Sequence, residues 1–483
     1  MAKSLENQIL AEVGLMTIPQ KFKFEELDPT LKPLTDTGNA ELLTELFGEK
    51  IRFDHRRKRW LIWEGHRWKP DNDGEISRLA IEAARERARK AVDLEYEQRR
   101  SESKWALQSE TKIKLDATIA IAKNLHPIAD AGDNWDQDSM LLGCSNGVID
   151  LKTGEFRKGR LDDHITMSTG TKFDPAATCP RWEQFTNEVF DLDIELISFV
   201  KMALGYSITG STREQSAFFC YGSGANGKSV LFKTISSVLG DYAYDAPASL
   251  LQRNAQTTSS NDVASTEFKR FLVSSETLST SKLNEQRLKA WTGGDKVTAR
   301  FLFSEFFSFE PTVKPWLFIN HKPLIEDDSH GFWRRVKLIP FNRIFKPEEQ
   351  DHELLSKLRE EKSGILNWLV EGCLQWQKTG LSQIPVCVRD ATRLYQAEND
   401  ALVEFIYEKC DLQDSAETKA RDLFTCYTKW ASESGLQTKD ILTNNAFGRR
   451  MGDKLKKVTR ESGTFYQGIC LKKQEKGGST GGF

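Results

Sequence analysis

The sequence predicts a multidomain α/β protein with a mixed N-terminal domain, a core built on a parallel sheet, and a small C-terminal domain. The chain has 483 residues, which is enough for about three domains that each bury a core. Residues 212–345 alternate strand and helix patterns, as a parallel sheet with crossover helices requires. A glycine-rich segment joins the first of these strands to the helix that follows it.

This glycine-rich segment, residues 222–229, reads G-S-G-A-N-G-K-S and comes directly after the apolar run 216–221. It matches the pattern G-x-x-x-x-G-K-[ST], in which backbone N–H groups surround phosphates, the lysine reaches the β- and γ-phosphates, and the hydroxyl holds Mg²⁺. The segment therefore predicts a site for ATP or GTP with Mg²⁺, and a plain glycine-rich turn before an ordinary helix is the alternative. The predicted nucleotide-binding residues are Gly222, Gly224, Ala225, Asn226, Gly227, Lys228, Ser229 and Val230.

Three other strand ends carry polar residues that suit ATP hydrolysis. Glu276 follows an apolar strand, where an acid can activate water or contact the metal. Asn320 ends a second apolar strand and can sense the γ-phosphate or orient water. Arg334 and Arg335 precede a third strand, and an arginine supplied to a neighbouring subunit would stabilise transition-state charge. The alternative for the arginine pair is a surface salt bridge.

Two basic segments are candidates for contact with nucleic acid. Lys296 and Arg300 lie on an alternating strand after a T-G-G-D turn, and residues 306–309 can form its return partner. A hairpin of this kind can touch a phosphate backbone. A second group of cations crowds a stretch predicted to be helical, and a solvated face is the alternative in both cases. The predicted DNA-binding residues of this second group are Arg449, Arg450, Lys456 and Lys457.

Composition and turn signals divide the chain into six segments. An arm (1–40) is followed by an N-terminal α+β and helical domain (41–205), the ATPase core (206–345), a helical lid or linker (346–395), a C-terminal domain (396–473) and a linker-like tail (474–483). Within the second segment, alternation around a Glu-Gly turn predicts an aromatic β-hairpin at residues 51–68. Its tryptophans are expected to pack in the hairpin, and stacking on bases is the alternative.

Composition excludes several classes of protein. No apolar run approaches the roughly 20 residues of a membrane span, and no signal peptide is visible, so we expect a cytoplasmic protein, in the host cell if a phage encodes it. The eight cysteines are scattered and predict reduced thiols rather than a zinc site. The formal net charge of −2 is compatible with a local basic channel for nucleic acid.

Taken together, the motifs resemble the superfamily 3 helicases. The order is the phosphate loop, strand-Glu, K-x-x-T-G-G-D-x-V-x-A-R, strand-Asn-H-x-P and F-W-R-R-x-x-x-I-P-F. Within that superfamily, the chain is most similar to the phage and plasmid primase-helicase family that includes the poxvirus primase-helicase. The stretch L-L-G-C-S-N-G-V-I-D-L-K-T-G-E resembles the domain before the ATPase in that family, and residues 400–473 resemble its winged-helix-like part.

The resemblance implies an AAA+ ATPase that assembles as a hexameric ring and moves on single-stranded DNA, typically 3′→5′. It also implies roles for matching residues. Lys228 and Ser229 bind phosphates and Mg²⁺, Glu276 is the acid of the second ATPase motif and a metal contact, and Asn320 is the sensor. Lys296 and Arg300 face the central channel, and Arg334 or Arg335 acts in the neighbouring subunit's site, with Arg335 preferred.

Two departures from the family pattern bear on chemistry. Ser275 stands where many relatives have a second acid, which leaves the metal's second protein ligand open. Many relatives also carry a primase domain, but no D-x-D here forms a convincing primase pattern with a downstream catalytic histidine. Asp191-Leu192-Asp193 matches D-x-D by letter and falls in a predicted helical linker. We therefore expect priming to depend on another chain.

The leading functional hypothesis is a replicative ATP-dependent DNA helicase of a phage or other mobile element. It would act on single-stranded or forked DNA as a homo-oligomer, with a separate primase or polymerase as a further partner. The first alternative is an origin-binding initiator in which ATP controls assembly without unwinding. The second is an unrelated phosphotransferase, such as a small-molecule kinase.

Overall fold

A computed structural model of the protein describes residues 32–253, 260–275, 282–303, 305–323, 325–399, 401–434 and 441–472. The chain separates into two compact units. Unit 1 extends to Trp135, and unit 2 begins at Asp136 and also contains residues 65–67. Each unit has a hydrophobic core of its own.

Unit 1 combines a four-stranded mixed sheet with helices. Its elements are α1 Asp36–Phe47, β1 Ile51–Asp54, β2 Arg59–Trp63, β3 Trp68–Pro70, α2 Glu75–Lys90, α3 Tyr96–Ser109, α4 Lys112–Ala122 and β4 Ala129–Asp130. The strand order is β3-β2-β1-β4, and only the β1–β4 pair is parallel. The predicted hairpin around Glu64-Gly65 is confirmed as β2–β3. Trp68 of this hairpin is buried, and its ring centroid lies 5.7 Å from that of Trp135. Trp68 therefore packs inside the protein, as expected, and is not available to stack on bases.

The centre of unit 2 is a five-stranded parallel sheet in the order β14-β8-β13-β10-β9. Its strands are β8 Ala217–Tyr221, β9 Ala243–Ala246, β10 Phe271–Ser275, β13 Lys314–Ile319 and β14 Val336–Pro340. Four of them confirm predicted strands. The edge strand β9 was not predicted, because its A-Y-D-A sequence is only partly buried and lacks the apolar run of an inner strand.

Helices and hairpins precede, connect and follow the strands of this sheet. They are β5 Leu141–Cys144, β6 Gly147–Asp150, β7 Glu155–Arg157, α5 Pro180–Val189, α6 Ile194–Ser207, α7 Lys228–Leu239, α8 Ser260–Ala264, α9 Glu285–Gly293, β11 Val297–Ala299, β12 Phe307–Phe309, α10 His330–Trp333, α11 Leu354–Glu360, α12 Lys362–Thr379 and α13 Val386–Glu398. The helical stretch predicted for 182–204 is two helices, because Asp191 and Leu192 adopt left-handed φ values of 51° and 59°.

Close packing joins the helices before and after the sheet. At Gly205 of α6, an added β-carbon would lie 2.9 Å from the Cα of Cys373 in α12, so only glycine allows this approach. At the N-terminus of α5, the Glu361 carboxylate accepts hydrogen bonds from the backbone N–H groups of Arg181 (3.0 Å) and Trp182 (2.9 Å). One hydrophobic core therefore runs from Leu142 to Val388, and the boundary predicted at 205/206 lies inside it.

The C-terminal part of unit 2 has the order helix, strand, helix, helix, strand, strand. These elements are α14 Ala401–Lys409, β15 Cys410–Lys419, α15 Ala420–Glu433, α16 Asn444–Lys454, β16 Lys457–Arg460 and β17 Gly463–Leu471. The strands form an antiparallel sheet, β15-β17-β16, over a separate apolar core. The prediction that one helical stretch carries all the cations was wrong for Lys456 and Lys457, because Leu455 is extended (φ −133°) and the helix ends at Lys454.

In the described part of the chain, the helices are too short or too polar to cross a bilayer.

Candidate active site

The phosphate loop lies at the carboxyl-terminal edge of the parallel sheet. β8 ends at Tyr221 and α7 begins at Lys228, so the loop joins an inner strand to a helix N-terminus. Gly224, Ala225 and Gly227 adopt left-handed φ values of 108°, 46° and 82°. Successive turns of this kind point backbone N–H groups inward, and the positive end of the α7 dipole adds to their attraction for an anion. The loop geometry fits nucleotide phosphates.

Contacts from distant parts of unit 2 hold the loop in place. The buried Asn226 side chain donates to the Phe341 carbonyl at 3.3 Å, and the Phe345 N–H donates to the Ala225 carbonyl at 2.8 Å. On the other side, α5 packs directly on the loop. An added β-carbon at Gly227 would come within 2.6 Å of Val189 Cγ2, so this glycine is required for the approach of α5.

Lys228 is the buried cation of the loop. Its side chain is 5% exposed, and its Nζ donates to the Gly222 carbonyl at 2.7 Å. Burial lowers the pKa of Lys228 below that of an exposed lysine. Because the contact of Nζ is with a backbone carbonyl, the ammonium can turn to a phosphate without breaking an ion pair with a carboxylate at that point. Ser229 is exposed in the first turn of α7, where its hydroxyl can reach a metal ion beside the phosphates.

Asn320 lies beside the loop, as predicted. Ile319 is opposite Tyr221 in the β13–β8 register, and the Gly222 N–H donates to the Ile319 carbonyl at 3.2 Å. Asn320 follows at this edge with an exposed side chain. The neighbouring β10 ends in register with β13, with Ser275 opposite Phe318. Glu276, the next residue, lies outside the described residues, so its predicted role stays a prediction.

Arg334 and Arg335 lie at the opposite edge of the sheet. Val336 is opposite Ala217 in the β14–β8 register, and the Ala217 N–H donates to the Arg335 carbonyl at 2.8 Å. The backbone of the arginine pair is therefore separated from the phosphate loop by the length of β8, about 16–20 Å at about 3.3 Å per residue. An extended arginine side chain of about 7 Å cannot span this distance.

The two arginines differ in their surroundings. Arg335 is partly buried and donates to Thr292 Oγ1 at 3.2 Å and to the Gly331 carbonyl. Burial and the neighbouring Arg334 guanidinium lower the pKa of Arg335. Arg334 is exposed and donates to the Gln215 side chain. The sequence favoured Arg335 as the residue that acts on a neighbouring subunit, whereas the exposed guanidinium is that of Arg334.

A cleft of about 660 Å³ opens beside the phosphate loop. Its apolar walls come from α5, α7 and the segment after β14. They include Phe185, Val230, Phe345 and Leu354. Apolar side chains next to a phosphate site suit a nucleobase. Sequence motifs gave no signal for this cleft, because its walls come from segments about 170 residues apart that only the fold brings together.

The basic hairpin forms as predicted, with Val297 opposite Phe309 and Ala299 opposite Phe307. Lys296 and Arg300 flank β11 and are exposed. Sequence reasoning missed the apolar character of the hairpin tip. Its exposed side chains are Phe301, Leu302, Phe303 and Phe306, with Phe303 98% exposed. The Arg300 guanidinium lies 4.6 Å from the Phe306 ring centroid, an arrangement typical of surfaces that stack bases.

If the hairpin tip stacks on the bases of single-stranded DNA, replacing Phe303 by Ala should raise the Kd for that DNA about 5–150-fold, because stacking of one base contributes about 1–3 kcal/mol. The exposed ring has almost no packing to lose, so the melting temperature should not change. Fluorescence anisotropy with a labelled oligothymidylate measures the affinity. Phe303→Tyr keeps a ring at the same place and should bind as the wild type does. Equal affinity of Phe303→Ala and the wild type would contradict stacking at the tip.

The predicted cations of the C-terminal part divide into two groups. Arg449 on α16 and Lys456 and Lys457 at the start of the β16–β17 hairpin are exposed. Arg450 instead contacts Asp328, an exposed residue of the loop between β13 and α10, with its Nε 2.5 Å from Oδ2, and is 20% exposed. Arg450 is therefore available to DNA only when this pair opens.

Three known families match successive parts of the chain. The family "D5 N terminal like" matches residues 40–191. A family of unknown function, DUF5906, matches residues 220–335, which contain the phosphate loop and the arginine pair. The family "Poxvirus D5 protein-like" matches residues 397–479.

Similar proteins occur in large DNA viruses. "Putative helicase L207/L206" of Acanthamoeba polyphaga mimivirus is 31% identical over 56% of this chain and 31% of its own length. "Putative helicase 121R" of Invertebrate iridescent virus 3 is 27% identical over 62% of this chain and 36% of its own length. "Putative primase C962R" of African swine fever virus is 27% identical over 61% of this chain and 33% of its own length. The chain spans about a third of the length of these curated relatives.

Among solved structures, the apo A form of the NrS-1 C-terminal region is similar. It is 13% identical, with a TM-score of 0.49, and the match covers 85% of this chain and 84% of that one.

Proposed function

The chain belongs to the D5-like primase-helicase family, and from this premise we propose that it is an ATP-dependent DNA helicase of viral or mobile-element replication. It works as a ring of identical subunits, a hexamer, and moves 3′→5′ on single-stranded or forked DNA. Its core is an AAA+ ATPase of superfamily 3. A separate primase or polymerase supplies the primers.

The observation that carries this proposal is the separation of the two halves of the ATPase site. The phosphate loop and Asn320 lie at one edge of the sheet, and Arg334 and Arg335 lie about 16–20 Å away at the other. An arginine that neutralises transition-state charge must touch the γ-phosphate. These arginines can do so only at the nucleotide of another subunit, which makes the subunit interface part of the site and supports a ring.

Within one subunit, the loop residues bind the nucleotide. The backbone N–H groups of the loop and Lys228 hold the phosphates, and the apolar cleft beside Phe185 holds the base. Ser229, with Glu276, would hold Mg²⁺, which neutralises phosphate charge when it is bound. Asn320 orients the attacking water from the end of β13. Either ATP or GTP fits this arrangement, and ATP is the proposed nucleotide.

Two surfaces of each subunit bind DNA. The hairpin with Lys296 and Arg300 grips the phosphate backbone, and its aromatic tip stacks on bases. The C-terminal part, whose order of elements supports a winged-helix-like domain, offers Arg449, Lys456 and Lys457 to phosphates. ATP hydrolysis at the subunit interface moves the hairpin and the strand that it holds.

The test measures ATP hydrolysis with and without single-stranded DNA, and displacement of a labelled strand from a fork. We expect DNA to stimulate hydrolysis about fivefold or more and the labelled strand to be released only with ATP. Forks with a single 3′ or 5′ tail report the direction. Absence of both DNA stimulation and strand release would contradict a helicase.

The second candidate is an initiator that binds duplex DNA without unwinding. The exposed cations on α16 and on the β16–β17 hairpin favour it, because a helix followed by a basic hairpin suits a duplex. Tight binding to one duplex sequence, without strand release at any fork, would select this candidate.

A further inference from the structure

The loop 320–328 connects the two halves of the ATPase site. It starts at Asn320 beside the phosphate loop and leads through Ser329 into α10, after which Arg334 and Arg335 follow. The structure describes this loop except for residue 324. A movement at the start of the loop would shift Asn320, and a movement at its end would shift the arginine pair.

Helix α13, which leads into the C-terminal part, holds the first half of the loop. The Lys322 ammonium pairs with Glu398 at 2.6 Å. The buried Tyr395 hydroxyl donates to the Pro323 carbonyl at 2.6 Å. A third bond, from the Ile325 N–H to Asn399 Oδ1, is 2.9 Å long.

These contacts reach the phosphate loop itself. The Lys322 ammonium lies 5.0 Å from the ring centroid of Tyr221, the last residue before the phosphate loop, and 5.7 Å from that of Tyr395. One cation therefore joins the end of β8, the 320–328 loop and α13. A shift of α13 would therefore act on the residue that precedes the phosphate loop.

The last residue of the loop is held by the predicted DNA-binding helix. Arg450 of α16 pairs with Asp328 at 2.5 Å, and about half of the Asp328 side chain is exposed (47%). A cleft of about 680 Å³, lined by both sides, lies at this contact. A partly exposed ion pair beside an open cleft is weak enough to be broken by competition. The neighbouring residue Asp327 pairs instead with Lys289 on α9, beside the central sheet.

We propose that the 320–328 loop couples the C-terminal part to the ATPase site, and that Arg450, Asp328 and Tyr395 are positioning residues for it; this rests on the proposed function. Without DNA, the Arg450–Asp328 pair holds the loop in a less active position. A DNA phosphate attracts the Arg450 guanidinium and competes with Asp328 for it. The released loop then allows Asn320 and the arginine pair to reach their active positions.

The test compares Asp328→Asn and Arg450→Ala in ATP hydrolysis with and without single-stranded DNA. Both variants should raise the DNA-free rate at least about fivefold and lower the stimulation factor toward one, since coupling of this kind is typically 5–150-fold. Asp328 is an anion and is not expected to attract DNA. If Asp328→Asn has the same effect as Arg450→Ala, the effect comes from loss of the ion pair and not from loss of a DNA contact. The double variant Asp328→Arg/Arg450→Asp should restore the low DNA-free rate and lose the response to DNA.

One control variant and one further test variant accompany these two. Lys429→Ala removes an exposed cation from α15, paired there with Glu433 at 3.9 Å, and should keep the wild-type rate and stimulation. Tyr395→Phe keeps the buried ring and removes the hydrogen bond to the Pro323 carbonyl. Like Asp328→Asn and Arg450→Ala, it should raise the DNA-free rate of hydrolysis. Melting curves for all variants report folding.

The outcomes separate the coupling from the helicase proposal. If the wild type neither responds to DNA in hydrolysis nor releases a strand from a fork, the proposed function fails. If it releases the strand but its hydrolysis does not respond to DNA, the coupling fails and the helicase proposal stands. If the wild type responds but Asp328→Asn and Arg450→Ala keep or lower the wild-type DNA-free rate, the coupling fails and the helicase proposal stands.

Discussion

Replacing Lys228 by Ala is expected to lower the rate of ATP hydrolysis about a hundredfold to a thousandfold, the usual effect of removing one preorganised charge-stabilising group. The ammonium lies within the phosphate loop, 2.7 Å from the Gly222 carbonyl, in a buried position where its charge is little screened by water. The alanine variant leaves the N–H groups of the loop in place, so nucleotide binding should weaken less than hydrolysis. Phosphate release under single-turnover and steady-state conditions measures both effects.

Lys233→Ala is the matched control for this variant. Lys233 lies on the same helix α7, five residues further on, with its side chain exposed. Its loss removes one cation without touching the loop, and the rate should stay at the wild-type value. The Gly222 carbonyl loses its partner in Lys228→Ala, at a cost of about 1 kcal/mol, so melting curves should show only a small shift. A Lys228→Ala rate above half that of the wild type would contradict a nucleotide site at this loop.

The second large effect is a recovery of ATP hydrolysis, which is expected when two inactive variants are mixed. Arg334→Ala/Arg335→Ala should lose about 10³-fold or more of the hydrolysis rate, as loss of an arginine supplied in trans does. In a 1:1 mixture with Lys228→Ala, some interfaces combine an intact loop from one subunit with intact arginines from the next. If subunits mix at random in a closed ring, about a quarter of the interfaces are of this kind, and about a quarter of the wild-type rate should return.

The mixture distinguishes arginines that act on the nucleotide of a neighbouring subunit from arginines that act on the nucleotide of their own subunit. If the arginines served the nucleotide of their own subunit, both variants would carry only broken sites and the mixture would stay inactive. Arg334→Ala alone tests the exposed guanidinium, and Arg335→Lys keeps a cation for Thr292 and Gly331. Light scattering with ATP confirms that the mixed chains assemble. An inactive mixture of assembled rings would contradict an interface site.

Local sequence signals were sufficient for the parts of the site that one segment builds. The loop 222–229 lies between a buried strand and a helix, as its glycines and the apolar run before it predict. The polar residue Asn320 lies at the loop because parallel strands that end in register bring their carboxyl ends to one edge. The basic hairpin followed from alternation and a turn of known type.

Features that depend on distant contacts could not be predicted. Residues 185 and 354 form one apolar cleft only because α5 and α11 meet at the loop. Arg450 carried the charge of a DNA-binding residue, but its partner Asp328 is 122 residues away and no local pattern links them. The strand Lys457–Arg460 was not predicted, because its charged sequence lacks the apolar alternation that indicates a strand. An exposed strand at a hairpin forms with few apolar residues.

The contact of Glu361 with the start of α5 has a consequence for how the protein is made. The residues that this contact joins, 181 and 361, are 180 positions apart. At about 5–20 residues per second, a ribosome needs about 10–40 s to synthesise that stretch. During this time the phosphate loop has emerged from the exit tunnel, but the helix that packs on Gly227 still lacks its cap. We expect a nascent chain stalled before residue 361 to bind nucleotide weakly, with the apolar face of α5 open to chaperones.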